Sequence, residues 1–195
     1  MRLLQLLLIA ALVVPMPTFA QAPATGGPAM TLTTTAFHDG DIIPVKFSQA
    51  AEGAAPGEGT SPALTWANVP AGTQSLFLHM HDLDVARNRT TDDQVHWLVW
   101  NIPASATGLP EGVPRGARLS DGSHQISATG AVYRGPGAGA TGPLHHYVFE
   151  LMALDIRLDT PPTGDAFATR KALMAAIDGH ILGKAVYTGR FRRPQ

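Results

Sequence analysis

The sequence predicts a mainly β protein, an antiparallel β-sandwich with one late helix. Three observations carry this. Leu76–Met80, Val95–Ile102 and His145–Asp155 are short apolar runs rich in branched and aromatic residues and bounded by turn formers, the pattern of buried strands. Only Asp165–Asp178 shows helical spacing, with Ala166, Phe167, Leu173, Met174 and Ile177 at three- and four-residue intervals and Gly179 as a stop. Several β segments with a single helix favour antiparallel sheets packed on one another over alternating β-α units.

In chain order, Met1–Ala20 reads as a secretory signal peptide. Arg2 gives a positive start, Leu3–Val14 is apolar except for Gln5, and Pro15 to Ala20 supplies a break and a small-residue exit. The apolar core is about a dozen residues, against roughly twenty needed to span a bilayer. Cleavage after Ala20 places the protein in the periplasm or outside the cell, with no transmembrane segment in the mature chain. Gln21–Ala29 is a flexible Pro/Gly/Ala linker. Residues 30–195 suit a single domain with a substantial core.

Within that domain, Met30–Phe37 alternates and is rich in β-branched residues, so it predicts a first strand. His38–Asp41 is a turn, and Ile42–Phe47 predicts a second strand, with Pro44 marking an edge or bulge. Ala50–Gly59 is a loop, Leu64–Trp66 a short strand, and Leu76–Met80 runs into Asp82 and Asp84. His96 opens the strand that ends near Ile102. Pro103–Gly122 is irregular, Tyr133–Gly142 is a Gly-rich loop, and Lys184–Phe191 is the last strand.

A formal net charge of −1 gives no electrostatic case for nucleic acid or anionic membrane surfaces. The absence of cysteine excludes thiol chemistry and cysteine metal sites and leaves stability to the core. The eight histidines are more informative, because several fall at strand ends beside carboxylates.

Two chemical readings compete for them. His79 and His81 lie two apart on a strand and so share a face; with a distant histidine and a carboxylate they form a workable divalent-metal set. Spacing alone fixes no geometry for it, and the expectation is that no metal or other cofactor is bound. The second reading is an anion pocket. Tyr133–Gly142 offers many positions free to take positive φ, where successive N–H groups can turn inward on an anion. His145 follows on the next strand and His96 lies on a neighbouring one.

The order of blocks resembles the phosphatidylethanolamine-binding protein family, in its bacterial Raf-kinase-inhibitor-like branch. The matching pieces are Phe37-x-x-Gly40-x-x-Ile43-Pro44; Gly59-x-Ser61-Pro62-x-Leu64-x-Trp66-x-Asn68-Val69-Pro70; Asp82-Leu83-Asp84-Val85-Ala86; His96-Trp97 with Asn101-Ile102-Pro103; Tyr133-x-Gly135-Pro136; and Gly142-Pro-Leu-His145-His146-Tyr147. Each is weak alone, but six in order, from about Thr31 to Arg192, are specific. The resemblance implies a β-sandwich with peripheral short helices and an end pocket for phosphate-like anions or phospholipid head groups. The ligand-binding residues it carries over are Asp82, Asp84, His96, Gly135, Gly137, His145 and Tyr147. It also implies an inhibitor-like role toward a kinase or protease partner, with no partner specified. Leu83 and Ala86 stand where the family's first motif has prolines, Ala138 and Gly139 replace a Pro-Pro pair, and His146 replaces an arginine, removing a permanent cation.

A hydrolase using the His/Asp cluster, metal-dependent or metal-independent, is the alternative. No Gly-x-Ser-x-Gly elbow exists, and no nucleophile–base pairing can be placed. The sequence therefore predicts a binding protein with no catalytic residues. Charged forms of His96 and His145 are expected to attract the anion while Asp82 orients one ring.

Overall fold

The computed structural model describes residues 28–195, so the expected signal peptide and residues 21–27 of the expected linker lie outside the described residues. Two antiparallel sheets form the architecture. The smaller runs in the order β1 (Thr31–Thr33), β2 (Leu64–Ala67), β5 (Gly108–Leu109). The larger runs β6 (His124–Ile126), β4 (Gln94–Pro103), β3 (Ser75–Asp82), β7 (His145–Leu154), β8 (Ile181–Phe191). One helix, α1 (Ala166–Ala176), precedes β8, and short 3-10 turns at Val45–Phe47 and Arg87–Arg89 lie at the periphery.

Strand alternation assigns the two faces of the larger sheet. On β3, Leu76, Leu78 and Met80 enter the core shared with Leu32, Leu64, Trp66 and Leu109 of the smaller sheet. Phe77 points the other way, into a second core with Leu98, Trp100, Met152, Leu173 and Ile177. The expected sandwich is thus present, and α1 covers its outer face. Asp165 caps α1 by accepting from the amides of Phe167 and Ala168. Its buried stripe is Ala166, Thr169, Leu173 and Ile177, whereas Met174, counted in the expected stripe, is 41% exposed.

The sequence expectation fails at Ile42–Phe47, which is not a strand. Ile42 makes only an isolated parallel bridge to Arg190, and Val45–Phe47 is a 3-10 turn. The proline explains this. Pro44 has no N–H to give a ladder, its φ of −58° suits a tight helical entry, and its carbonyl accepts from Phe47 N at 3.0 Å. The first strand is also shorter than expected, because Thr34 Oγ1 bonds the Ala63 carbonyl at 2.6 Å and accepts from Ala36 N at 3.1 Å, ending the ladder.

Candidate functional site

The larger sheet brings β3, β4 and β7 side by side, so their ends meet at one edge of the sandwich. Asp82 closes β3 and pairs directly with Tyr147 on β7. Their side chains share a face with His145, two residues before Tyr147. His96 reaches the same place through an irregularity. Met80 pairs with Trp97 but His81 pairs with Val95, so His96 is the extra residue of a β-bulge. Val95 therefore packs into the outer core and Trp97 into the inner one, and His96 packs edge-on against Tyr147, ring centroids 5.0 Å apart.

These side chains line a cavity of about 290 Å³ together with Gln49, Val85, Gln94, Arg134, Gly137, Ala138 and Gly139. That is the small end of the range for ligand pockets, the size of a head group rather than a whole lipid. Five of the seven sequence-predicted ligand residues meet here: Asp82, His96, Gly137, His145 and Tyr147. Two do not line the cavity. Asp84 turns to the rim, accepting from His146 N at 2.6 Å and His146 Nδ1 at 3.0 Å. Gly135 sits behind the wall, where a Cβ would come within 2.8 Å of the Phe47 carbonyl oxygen.

The glycine-rich loop works differently from expectation. Gly135, Gly137, Gly139 and Gly142 do not take positive φ. Gly135 and Gly137 serve close approach instead, since a Cβ on Gly137 would overlap the Gln49 side-chain amide. Nor do the loop amides of Gly137 and Ala138 wait for an anion. Both donate to the Tyr147 hydroxyl at 3.2 Å, which fastens the loop to β7. Burial first, then the Asp82 charge, push the Tyr147 phenol above its ordinary pKa. It stays protonated, with its lone pairs engaged by the loop amides and its proton turned toward the Asp82 carboxylate.

The two histidines also differ. His145 Nδ1 lies 2.8 Å from Asp82 Oδ2 and 3.1 Å from Oδ1, so Nδ1–H donates to the carboxylate and Nε2 is left for a ligand. Asp82 thus orients one ring, as the sequence suggested. His96 Nδ1 donates to the Arg134 carbonyl at 3.0 Å. Burial pushes the His96 pKa down to about 4, with the Arg134 charge adding to the shift. The expectation that both histidines are charged is therefore corrected: in the free protein His96 is neutral at physiological pH, and its Nε2 is an acceptor.

The cation of the site is one that sequence reasoning missed. Arg134 lines the cavity, half-buried, and no carboxylate lies within ion-pair distance of it among the described residues. Its Nη1 donates to Thr129 Oγ1 at 3.0 Å, while its buried Nε has no protein partner. Burial draws its pKa down, yet a guanidinium keeps its charge. Its position inside the Tyr133–Pro136 block was the available signal. Gln49 had none: it reaches the site only because its Nε2 donates to the Gly135 carbonyl at 2.7 Å across the fold. The lining contains no serine, threonine, cysteine or lysine.

A two-sheet β protein with one small polar cavity at the ends of its central strands belongs with the small-ligand-binding β proteins. The particular family follows from comparison with known sequences: residues 33–192 match the family model described as phosphatidylethanolamine-binding protein, and the chain belongs to that family. A UPF0098 protein of Methanothermobacter thermautotrophicus is 39% identical over 166 residues, covering 84% of this chain and 99% of the relative. A Mycobacterium tuberculosis protein that carries the name "Putative lipoprotein LppC" is 31% identical over 162 residues, covering 82% of this chain and 73% of the relative. Among solved structures, a phosphatidylethanolamine-binding protein homologue from Chlamydia trachomatis superposes with a TM-score of 0.67 at 30% identity, over 85% of this chain and 98% of that one.

Proposed function

We propose that this protein is an exported binding protein whose end cavity takes a phosphate-like anion, free or as a phospholipid head group. The observation that carries the reading is Arg134, a permanent cation lining a head-group-sized cavity with no carboxylate within ion-pair distance of it among the described residues. Nature rarely leaves such a charge half-buried and unpaired without a partner to receive it. On the other walls Asp82 turns the His145 ring so that Nε2 faces the ligand, where its imidazolium form donates, and the loop amides hold the Tyr147 hydroxyl in place.

Export rests on the charged start, apolar core and small-residue exit of residues 1–20, and a relative named as a lipoprotein supports it. Two measurements test the reading. Native mass spectrometry should show one adduct with phosphoethanolamine and one with inorganic phosphate, but none with ethanolamine; binding of ethanolamine alone would refute an anion pocket. Intact mass from the exported fraction should correspond to a chain starting near Gln21, and retention of Met1–Ala20 there would refute cleavage.

A further inference from the structure

One wall of the end cavity belongs to a segment with no buried residue of its own. Asp82 closes β3 and Gln94 opens β4, so residues 83–93 join two strands of the cavity, and Val85 and Gln94 line it at the two ends of that connection. None of residues 83–93 is buried. The segment contains no proline or glycine, yet Asn88 and Arg89 stand at φ of 52° and 58°, a left-handed conformation that costs a residue with a side chain. Its tip closes on itself, with Arg87 N donating to the Asp92 carbonyl at 2.8 Å and Asp92 N to Thr90 Oγ1 at 3.1 Å. Such a turn, strained and without apolar burial, opens at little cost unless something outside holds it.

That hold comes from α1. Arg170, with only 11% of its side chain exposed, reaches two carboxylates at once. Its Nη2 donates to Asp92 Oδ1 at 3.1 Å, and its Nη1 donates to Asp93 Oδ1. Phe167, on the same helix face, carries the Arg87 guanidinium 3.4 Å over its ring centroid. The helix can bear this load because Leu173 and Ile177 fix it in the outer core. No residue of α1 lines the end cavity, so the helix reaches the cavity only through residues 83–93.

We propose that Arg170 is a positioning residue for the end cavity: it holds residues 83–93 from α1 so that Val85 and Gln94 stand as a wall, an inference that rests on the anion reading of that cavity. A wall that opens part of the time lowers the binding-competent fraction, and affinity falls by the same fraction. A guanidinium suits the task because its planar fork serves Asp92 and Asp93 together, which a point charge cannot.

The test is calorimetric titration of phosphoethanolamine into the mature chain, with amide hydrogen exchange of residues 85–93 measured on the same samples. Arg170→Gln should weaken binding about tenfold, within the range for residues that act on a site through packed neighbours, and speed exchange of those amides about tenfold. Arg170→Lys should recover affinity to within about threefold of wild type, since it still meets one carboxylate. Asp92→Asn, at an exposed side chain, should weaken binding about two- to fivefold and serves if Arg170→Gln fails to fold. Leu109→Ala, in the core of the other sheet, should lower the melting temperature yet leave affinity within about twofold and the exchange unchanged. Wild-type binding that Arg170→Gln and Asp92→Asn leave unchanged would overturn the positioning role and spare the anion cavity. An equal loss of affinity in Leu109→Ala would reduce the effect to general stability and overturn it too. No binding by the wild type would overturn the anion reading and the positioning role together.

Discussion

His96 makes folding stability depend on pH in a way that can be isolated by one substitution. An unfolded histidine titrates near 6.5, whereas burial holds His96 at about 4 in the folded protein. Between those values the unfolded chain binds the extra proton, so stability rises with pH across the window. The contribution is intact above about pH 6.5 and is lost as pH falls through the folded value. At about 1.4 kcal/mol per pKa unit the loss from this residue is about 2 kcal/mol by pH 5 and about 3 kcal/mol by pH 4. His96→Gln removes the titration while keeping an amide that can donate to the Arg134 carbonyl. Urea unfolding of wild type and variant at pH 7, 5 and 4 gives the difference directly, because the other titrating groups cancel. Wild type should lose about 3 kcal/mol more than the variant between pH 7 and pH 4. Equal losses would refute the assignment of a neutral, buried His96. Saturating phosphate should shrink the gap, since an anion beside the ring favours its charged form and raises its pKa.

Three further outcomes follow from the cavity walls. Gly135→Ala would drive a Cβ into the Phe47–Ser48 backbone, which cannot swing aside, and should cost about 1–3 kcal/mol by thermal unfolding; Gly137→Ala meets only the Gln49 side chain and should cost less. Tyr147→Phe leaves the Gly137 and Ala138 amides without their acceptor and should lower stability by about 1–3 kcal/mol, with faster hydrogen exchange at those two amides as the specific signature. Asp82→Asn should weaken phosphate binding because the His145 ring loses its charged acceptor, while the His145 Nδ1 signal in nitrogen NMR shifts toward the lone-pair form.

Much of the fold was legible in the residues because burial leaves a mark on composition. Leu76–Met80, Val95–Ile102 and His145–Asp155 became β3, β4 and β7, since strands covered on both faces are apolar throughout. Gly108–Leu109 and His124–Ile126 gave no signal: two and three residues are too few for periodicity, and their pairing is decided by β2 and β4. Pro44 was read as marking an edge or bulge of a strand when its missing N–H and fixed φ instead close a 3-10 turn.

The cavity was legible only where its residues sit at strand ends. Asp82 orienting His145 could be argued from sequence, because carboxylate and imidazole close one strand and open another. The charge on His96 could not, because it depends on a bulge and on burial, neither of which has a local signature. Arg134 and Gln49 were missed because their place is set by packing between segments far apart in sequence. The glycines of the loop misled for a physical reason: glycine serves tight approach as readily as positive φ, and composition does not distinguish the two.

The central claim is that the end cavity binds phosphate-like anions through Arg134 and His145. Titration calorimetry of phosphoethanolamine into wild type, Arg134→Gln and His145→Ala, each confirmed folded by circular dichroism, tests it most directly. One site is expected in the wild type, with each substitution costing about 1.5–3 kcal/mol, or roughly 10- to 150-fold in affinity, as for a hydrogen bond to a charged group. Affinity unchanged in both variants, or no binding by the wild type, would contradict the account.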